Sequence, residues 1–300
     1  MVDYAKQLED ATKGRVKITV YGGATLGPAN QAFSLVTSGM ADIAWGYTGL
    51  FPGQFPLSEI ITLPLLAANP AAEITARAFW GISEKFPEAF AKEYGETKVL
   101  VLHTGGKHLV ACTSKKAVRT RDDIKGLNIR TPAGPPTDML KALGGNPIQM
   151  GTADIYLAME KGTIDGYSIG FAAIKDNKWY EVSKYFTEAY LCDTTFWVLM
   201  NKKVWDSMPS DIQQQIMSVS GEKGSVFYSS TWDGMHAEAR EFIKAMPGKE
   251  FITLSPDEMS KWTALAKPIW DDYVAKLAAK GLPAREVLNE ALNIISKYSK

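Results

Sequence analysis

The chain is 300 residues long, with 33 basic and 33 acidic side chains and three histidines, so its formal charge is zero. That length favours two domains, and 46% hydrophobic with 22% charged residues describes a folded chain rather than a disordered one. Zero net charge argues against a nucleic-acid partner, which asks for a basic excess or stripe. No apolar run reaches the ~18 residues of a membrane span, so the chain is not expected to be membrane-embedded. Residues 3–12 predict a short amphipathic helix stopped by Lys13-Gly14. Residues 15–21 alternate polar and apolar, the pattern of a half-buried strand. After Gly22-Gly23, residues 30–38 read as a helix closed by Gly39, and 42–47 as a second strand. Residues 70–94 are helical with an interruption at Pro87, and strands follow at 98–103, 109–113 and 127–131. A helix at 136–143, a strand at 147–150, a helix at 152–161 and a short strand at 164–167 continue the alternation. From Pro209 onward the pattern is almost wholly helical. Such alternation predicts α/β layers, which place ligands at strand carboxyl ends and in the cleft between domains.

Catalytic motifs are missing: there is no GxSxG, HExxH, Walker A or GxGxxG, and nothing calls for a cofactor or a metal. Asp122-Asp123 and Asp271-Asp272 are adjacent carboxylates, which point apart and read as solvated faces. His103 and His108 bracket Thr104-Gly105-Gly106-Lys107, read as a plain turn with a phosphate cradle as the alternative, and His236 reads as a surface residue. Cys112 and Cys192 fit two free thiols or a disulfide. No basic segment followed by an apolar one marks a signal peptide at the start. The informative residue is Arg130. In 122–132 a turn leads into a strand with Leu127 and Ile129 on one face and Asn128 and Arg130 on the other, and Pro132 ends it. Arg130 therefore falls at a strand carboxyl end, where a guanidinium can grip a carboxylate through two parallel hydrogen bonds.

The run 125–132 resembles the signature strand of the DctP-type substrate-binding proteins of TRAP transporters. The resemblance continues through 142–147, 154–162, Ile164-Asp165-Gly166 and 201–209, and earlier through 14–18, Leu26-Gly27 and 39–43. It implies an α/β, two-lobed, periplasmic-binding-protein-like fold with hinge strands and a long interlobe helix. The lobes would comprise 1–107 plus 195–233 and 108–194 plus 234–300. The implied function is capture of an organic acid in the periplasm by lobe closure and delivery to the membrane subunits of a TRAP transporter, without catalysis. A ligand-sensing protein or an enzyme on the same fold is the alternative, and a binder of another ligand class, such as amino acids, a weaker one. Arg130 takes the place of the family's carboxylate-binding arginine.

Three polar contacts of the family's sialic-acid-type members fall here on Val110, Ile169 and Tyr47, so a sugar acid would lose hydrogen bonds. The expected ligand is thus a small or aromatic monocarboxylate, sandwiched by Trp45 or Tyr47 and by Phe196 or Trp197. Core packing competes for Trp45 and Trp197. Gly151 and Thr152, at the step after Met150, and Ile169 and Gly170 are further expected lining residues. Lys107 and His108 would supply a second positive contact to a diacid. The family's opening strand and an export signal have no counterpart in the sequence, which leaves an expected open edge on the first sheet.

Overall fold

A computed structural model describes residues 1–67, 71–106, 108–110, 113 and 115–299. The expectations for Lys107, Cys112 and the side chain of Val110 lie outside the described residues. Nine strands are present among the described residues: β1 Ile43–Tyr47, β2 Thr97–Thr104, β3 His108–Val110, β4 Asn128–Arg130, β5 Asn146–Ile148, β6 Gly166–Tyr167, β7 Tyr185–Cys192, β8 Thr195–Asn201 and β9 Glu250–Ile252. They form three small sheets of order β1-β8-β2, β3-β7-β9 and β5-β4-β6.

The first sheet is antiparallel, with β8 in its centre. Every residue of β8 is buried, so Thr195 to Asn201 has no alternation to announce a strand. Neither β7 nor β8 was expected from the pattern, although between them they form the middle of two sheets. The third sheet is parallel, and β4 lies between its two partners. Parallel pairing aligns the carboxyl ends of β4, β5 and β6 on one side, which is where Arg130 emerges.

One predicted strand does not form. Residues 15–21 run as irregular chain, with Val20 37% and Tyr21 62% exposed. Among the described residues no neighbouring strand pairs with the segment, so a period-two pattern alone cannot make a ladder. Arg15 instead pairs with Asp211, while Val16 and Ile18 pack beside the cluster around Tyr4 and Leu8.

The apolar side chains gather into separate cores on two lobes. One core joins Phe55, Phe79, Leu102, Trp197 and Leu199, and a second around Leu100, Val101 and Val198 covers the other face of the same sheet. The opposite lobe packs Ile155, Tyr167, Phe171, Trp179 and Phe186 in one cluster and Ile129, Met139, Leu140 and Trp262 in another. The 24-residue helix Gly221–Lys244 serves both lobes. Tyr228 packs with Val101 and Val198, whereas Ala239 and Ile243 sit among Phe171, Trp179 and Phe186. Helix Ala284–Tyr298 carries Ala284, Val287, Leu288, Ala291 and Ile295 on one face, and all five enter the first core beside Phe79 and Ile82. The sequence pattern predicts only a helical stretch from Pro209 onward, not this stripe or the surface it covers. The stripe covers the core beneath the first sheet, beside Phe79 and Trp197.

The chain crosses between the lobes side by side at two places, β2 to β3 and β7 to β8. At this crossing Gly105 N–H donates to the Thr194 carbonyl at 2.9 Å. A Cβ on Gly105 would lie 2.2 Å from the Phe196 ring, so only glycine lets the two crossings approach this closely.

Candidate functional site

Strand register builds one wall of the site. Tyr47 pairs with Phe196, and Phe196 with His103 on the other side, so these side chains share a face of the first sheet with Trp45. Phe196 stacks on Trp45 at 4.8 Å and 16°, on His103 at 5.1 Å and 11°, and on Trp232 at 5.7 Å and 15°. Tyr47 leans on it at 5.2 Å. The result is a continuous aromatic wall. A ring held between Trp45 and Phe196 would need about 7 Å between their planes, twice the usual contact distance. Trp45 and Phe196 therefore stand on the same side of any ligand and cannot sandwich one.

Trp197 faces the other way. It is fully buried in the first core among Phe33, Phe51 and Phe55. As neighbours on a strand, Phe196 and Trp197 must point to opposite faces, so Trp197 is a core residue and not a lining one. The Trp45 indole is also committed, its N–H donating to His103 Nε2 at 3.0 Å. An indole nitrogen only donates, so His103 Nε2 accepts and Nδ1 carries the proton, lying 3.2 Å from the Thr104 carbonyl. Burial, with Phe196 on one face and Tyr228 on the other, pushes the His103 pKa down to about 3.

The facing wall comes from the parallel sheet. Ser168 N–H donates to the Arg130 carbonyl at 2.7 Å, and Thr131 N–H donates to Ile148 at 3.2 Å. These bonds hold the end of β4 while the Arg130 side chain turns toward Met150, whose carbonyl accepts from Nε at 3.3 Å. Arg130 is only 6% exposed. Among the described residues no carboxylate pairs with it, whereas Arg15, Arg77, Arg119, Arg240 and Arg285 each meet one. Burial pulls its pKa below the usual arginine value, and the Tyr47 phenol across the cleft partly offsets this. Burying a cation without a counter-charge costs several kcal/mol.

The remaining expected lining residues separate into two groups. Gly151 and Thr152 are exposed and directly follow Met150, so they stand at the edge of the site beside the guanidinium. Ile169 instead packs into the second lobe's core, tied to Leu109 by an N–H to carbonyl bond of 3.2 Å. Gly170 is buried, and its Cβ would lie 2.2 Å from the His236 ring. It offers no side chain. It makes room for one.

His236 and Asp193 are the contributions that sequence reasoning missed. His236 is half-buried rather than on the surface: its Nδ1 accepts from Ala172 N–H at 3.1 Å, and its Nε2 lies 2.7 Å from the Gly105 carbonyl. Acceptance at Nδ1 assigns the donor role to Nε2, so a single imidazole on the long helix links the two lobes. Trp232, one turn earlier, stacks between Phe196 and His236. The i, i+4 spacing of Trp232 and His236 was a readable hint of one face, but not of what that face meets. Asp193 accepts from Thr75 Oγ1 at 2.6 Å and from Thr194 N–H at 2.8 Å, and it lines a narrow crevice with Tyr47, Thr48, Glu59, Thr62 and Pro132. His108 does not supply a positive charge. It is 6% exposed, and burial next to Arg130 pushes its pKa down to about 3.

Two lobes, two crossings side by side and a long helix serving both lobes define a fold of the two-lobed periplasmic-binding type. More narrowly, the chain belongs to the bacterial extracellular solute-binding proteins, family 7, the DctP-type proteins of TRAP transporters, whose family profile matches residues 1–277. The chain is similar to a TRAP solute-binding protein from Rhodoferax ferrireducens T118 in complex with benzoate, at 27% identity and a TM-score of 0.91, covering 99% of this chain and 92% of that one. A marine metagenome TRAP solute-binding protein specific for aromatic acid ligands, in complex with metahydroxyphenylacetate, matches at 25% identity and 0.91, covering 100% of this chain and 93% of that one. Among curated relatives, the 2,3-diketo-L-gulonate-binding periplasmic protein YiaO of Escherichia coli (strain K12) is 29% identical over 73% of this chain and 66% of its own length. No helix among the described residues is long and apolar enough to cross a membrane.

Proposed function

We propose that this protein captures a monocarboxylate, small or aromatic, between its lobes and delivers it to the membrane subunits of a TRAP transporter in the periplasm. The observation that carries this reading is the buried guanidinium of Arg130, within electrostatic reach of Tyr47 and with no carboxylate partner among the described residues. The carboxylate would take the terminal nitrogens of Arg130, and its apolar part would lie against Tyr47 and Phe196. Binding needs no chemistry on the ligand, only closure of the lobes around it. In this reading the first lobe comprises 1–107, 195–233 and the final helix, and the second comprises 108–194 with the region of 234–273. Gly151, Thr152 and Gly170 contribute backbone and space rather than side-chain contacts. Relatives that bind benzoate and aromatic acids favour the aromatic branch.

Calorimetric titration with benzoate, phenylacetate, short-chain acids and glucuronate tests the proposal. An aryl or short-chain acid is expected to bind more tightly than glucuronate. Arg130→Ala is expected to lose about 100-fold in affinity, because truncating one partner of a buried ion pair costs ~2–5 kcal/mol. Tighter binding of glucuronate, or an Arg130→Ala variant that binds as the parent does, would overturn it.

A further inference from the structure

We infer that His108 is a specificity-determining residue of the cleft: a neutral hydrogen-bonding group that selects monocarboxylates carrying one hydroxyl and rejects diacids. This rests on the reading of Arg130 as the carboxylate site. His108 opens β3, directly after the crossing from the first lobe, and pairs in register with Cys192 next to the second crossing. It is more than nine-tenths buried, and its Nδ1 is sealed from solvent with no hydrogen-bond partner among the described residues. A buried polar atom left unpaired costs about 1–3 kcal/mol, so its retention calls for a partner that arrives later.

The neighbours of His108 restrict what that partner can be. Arg130 lies within electrostatic reach, also more than nine-tenths buried and with no carboxylate beside it, and His236 is the other titratable group that acts on His108. Protonating His108 would put a second buried cation beside an uncompensated one, which both desolvation and like-charge repulsion oppose. The imidazole is therefore neutral in the cleft and has no charge to offer a second carboxylate. A hydroxyl suits it whichever nitrogen bears the proton, because a hydroxyl both donates and accepts. The aromatic wall contributes few further polar groups: the Trp45 N–H is spent on His103, the Phe196 ring has none, and the Tyr47 phenol lies within electrostatic reach of Arg130 itself. One anionic group and one neutral polar group is thus the pattern that Arg130 and His108 present together.

Titration of the parent, His108→Leu, His108→Gln and Arg130→Ala with matched pairs tests this: benzoate against 3-hydroxybenzoate and 4-hydroxybenzoate, propionate against lactate, and isophthalate and succinate as diacids. In the parent at least one hydroxy acid should bind about 10-fold or more tightly than its unsubstituted partner, and the diacids should bind more weakly than the monoacids. His108→Leu should erase the preference while retaining the unsubstituted acid, and His108→Gln should keep part of it. Equal affinities within every pair, or a preference unchanged in His108→Leu, would overturn the assignment and leave Nδ1 to a water molecule. Binding of monoacids that Arg130→Ala abolishes, with no hydroxyl preference, would leave the carboxylate site intact and remove only the role of His108. No binding of any acid by the parent would remove both.

Discussion

Gly46 lies in β1 beneath the Trp197 indole, where an added Cβ would come within 2.1 Å of the ring. The register that places Gly46 opposite Trp197 also places Tyr47 opposite Phe196, so the fit on the core face fixes the wall on the cleft face. Gly46→Ala is expected to lower stability by roughly 1–3 kcal/mol through overpacking, seen as a fall in the urea midpoint. An unchanged midpoint would mean that Trp197 repacks freely. Gly170 plays the matching part for His236 on the other lobe. None of this is visible in the sequence, where Gly46 is one glycine among 25. Arg130 was legible for the opposite reason, since proline at 132 and the alternation before it mark a strand end without reference to distant residues.

Strands β1, β2 and β8 carry the aromatic stack, and His103 in β2 ties its electrostatics to folding. The His103 pKa is depressed from 6.5 to about 3, and that of His108 from 6.5 to about 3. In the window between these values the unfolded chain binds more protons than the folded one. The stability associated with each neutral imidazole is thus fully present above pH 6.5 and is lost as pH falls toward 3. Each histidine adds at most about 1.4 kcal/mol per pH unit to that slope. Glu93, whose pKa burial raises to about 7, acts in the opposite direction in parent and variant alike. In urea unfolding at pH 7.0 and 5.5, His103→Phe should lose less stability on acidification than the parent even though it is less stable overall. A variant with the parent's full slope would count against a buried neutral His103. At this scale the sequence reading placed β1, β2 and β4 and the helical character beyond Pro209. It failed for β8, which is buried on both faces, and for 15–21, which has the pattern but no paired neighbour among the described residues.

Across the whole molecule, the crossing at Gly105 and Thr194 and the His236 link connect the lobes near the proposed ligand position. If a carboxylate closes the lobes on Arg130, saturating benzoate should reduce the radius of gyration in solution scattering, and Arg130→Ala should show no such change. At 100 times its dissociation constant a ligand stabilises by ~2.7 kcal/mol, enough for a rise of a few degrees in Tm. Binding without compaction would separate carboxylate recognition from closure. The sequence by itself determined the α/β character, the place of Arg130 at a strand end and the family to which the chain belongs, because strand ends, turns and ordered motifs are local properties. Zero net charge argued against broad electrostatic partners, leaving Arg130 at its strand end as the informative charge. Only the tertiary structure decided that Trp197 faces the core, that Trp45 and Phe196 form one wall, that His236 joins the lobes and that His108 is buried beside Arg130. Those outcomes depend on strand register, on which surface a helix covers and on burial beside another charge, and each requires residues far apart in sequence to meet.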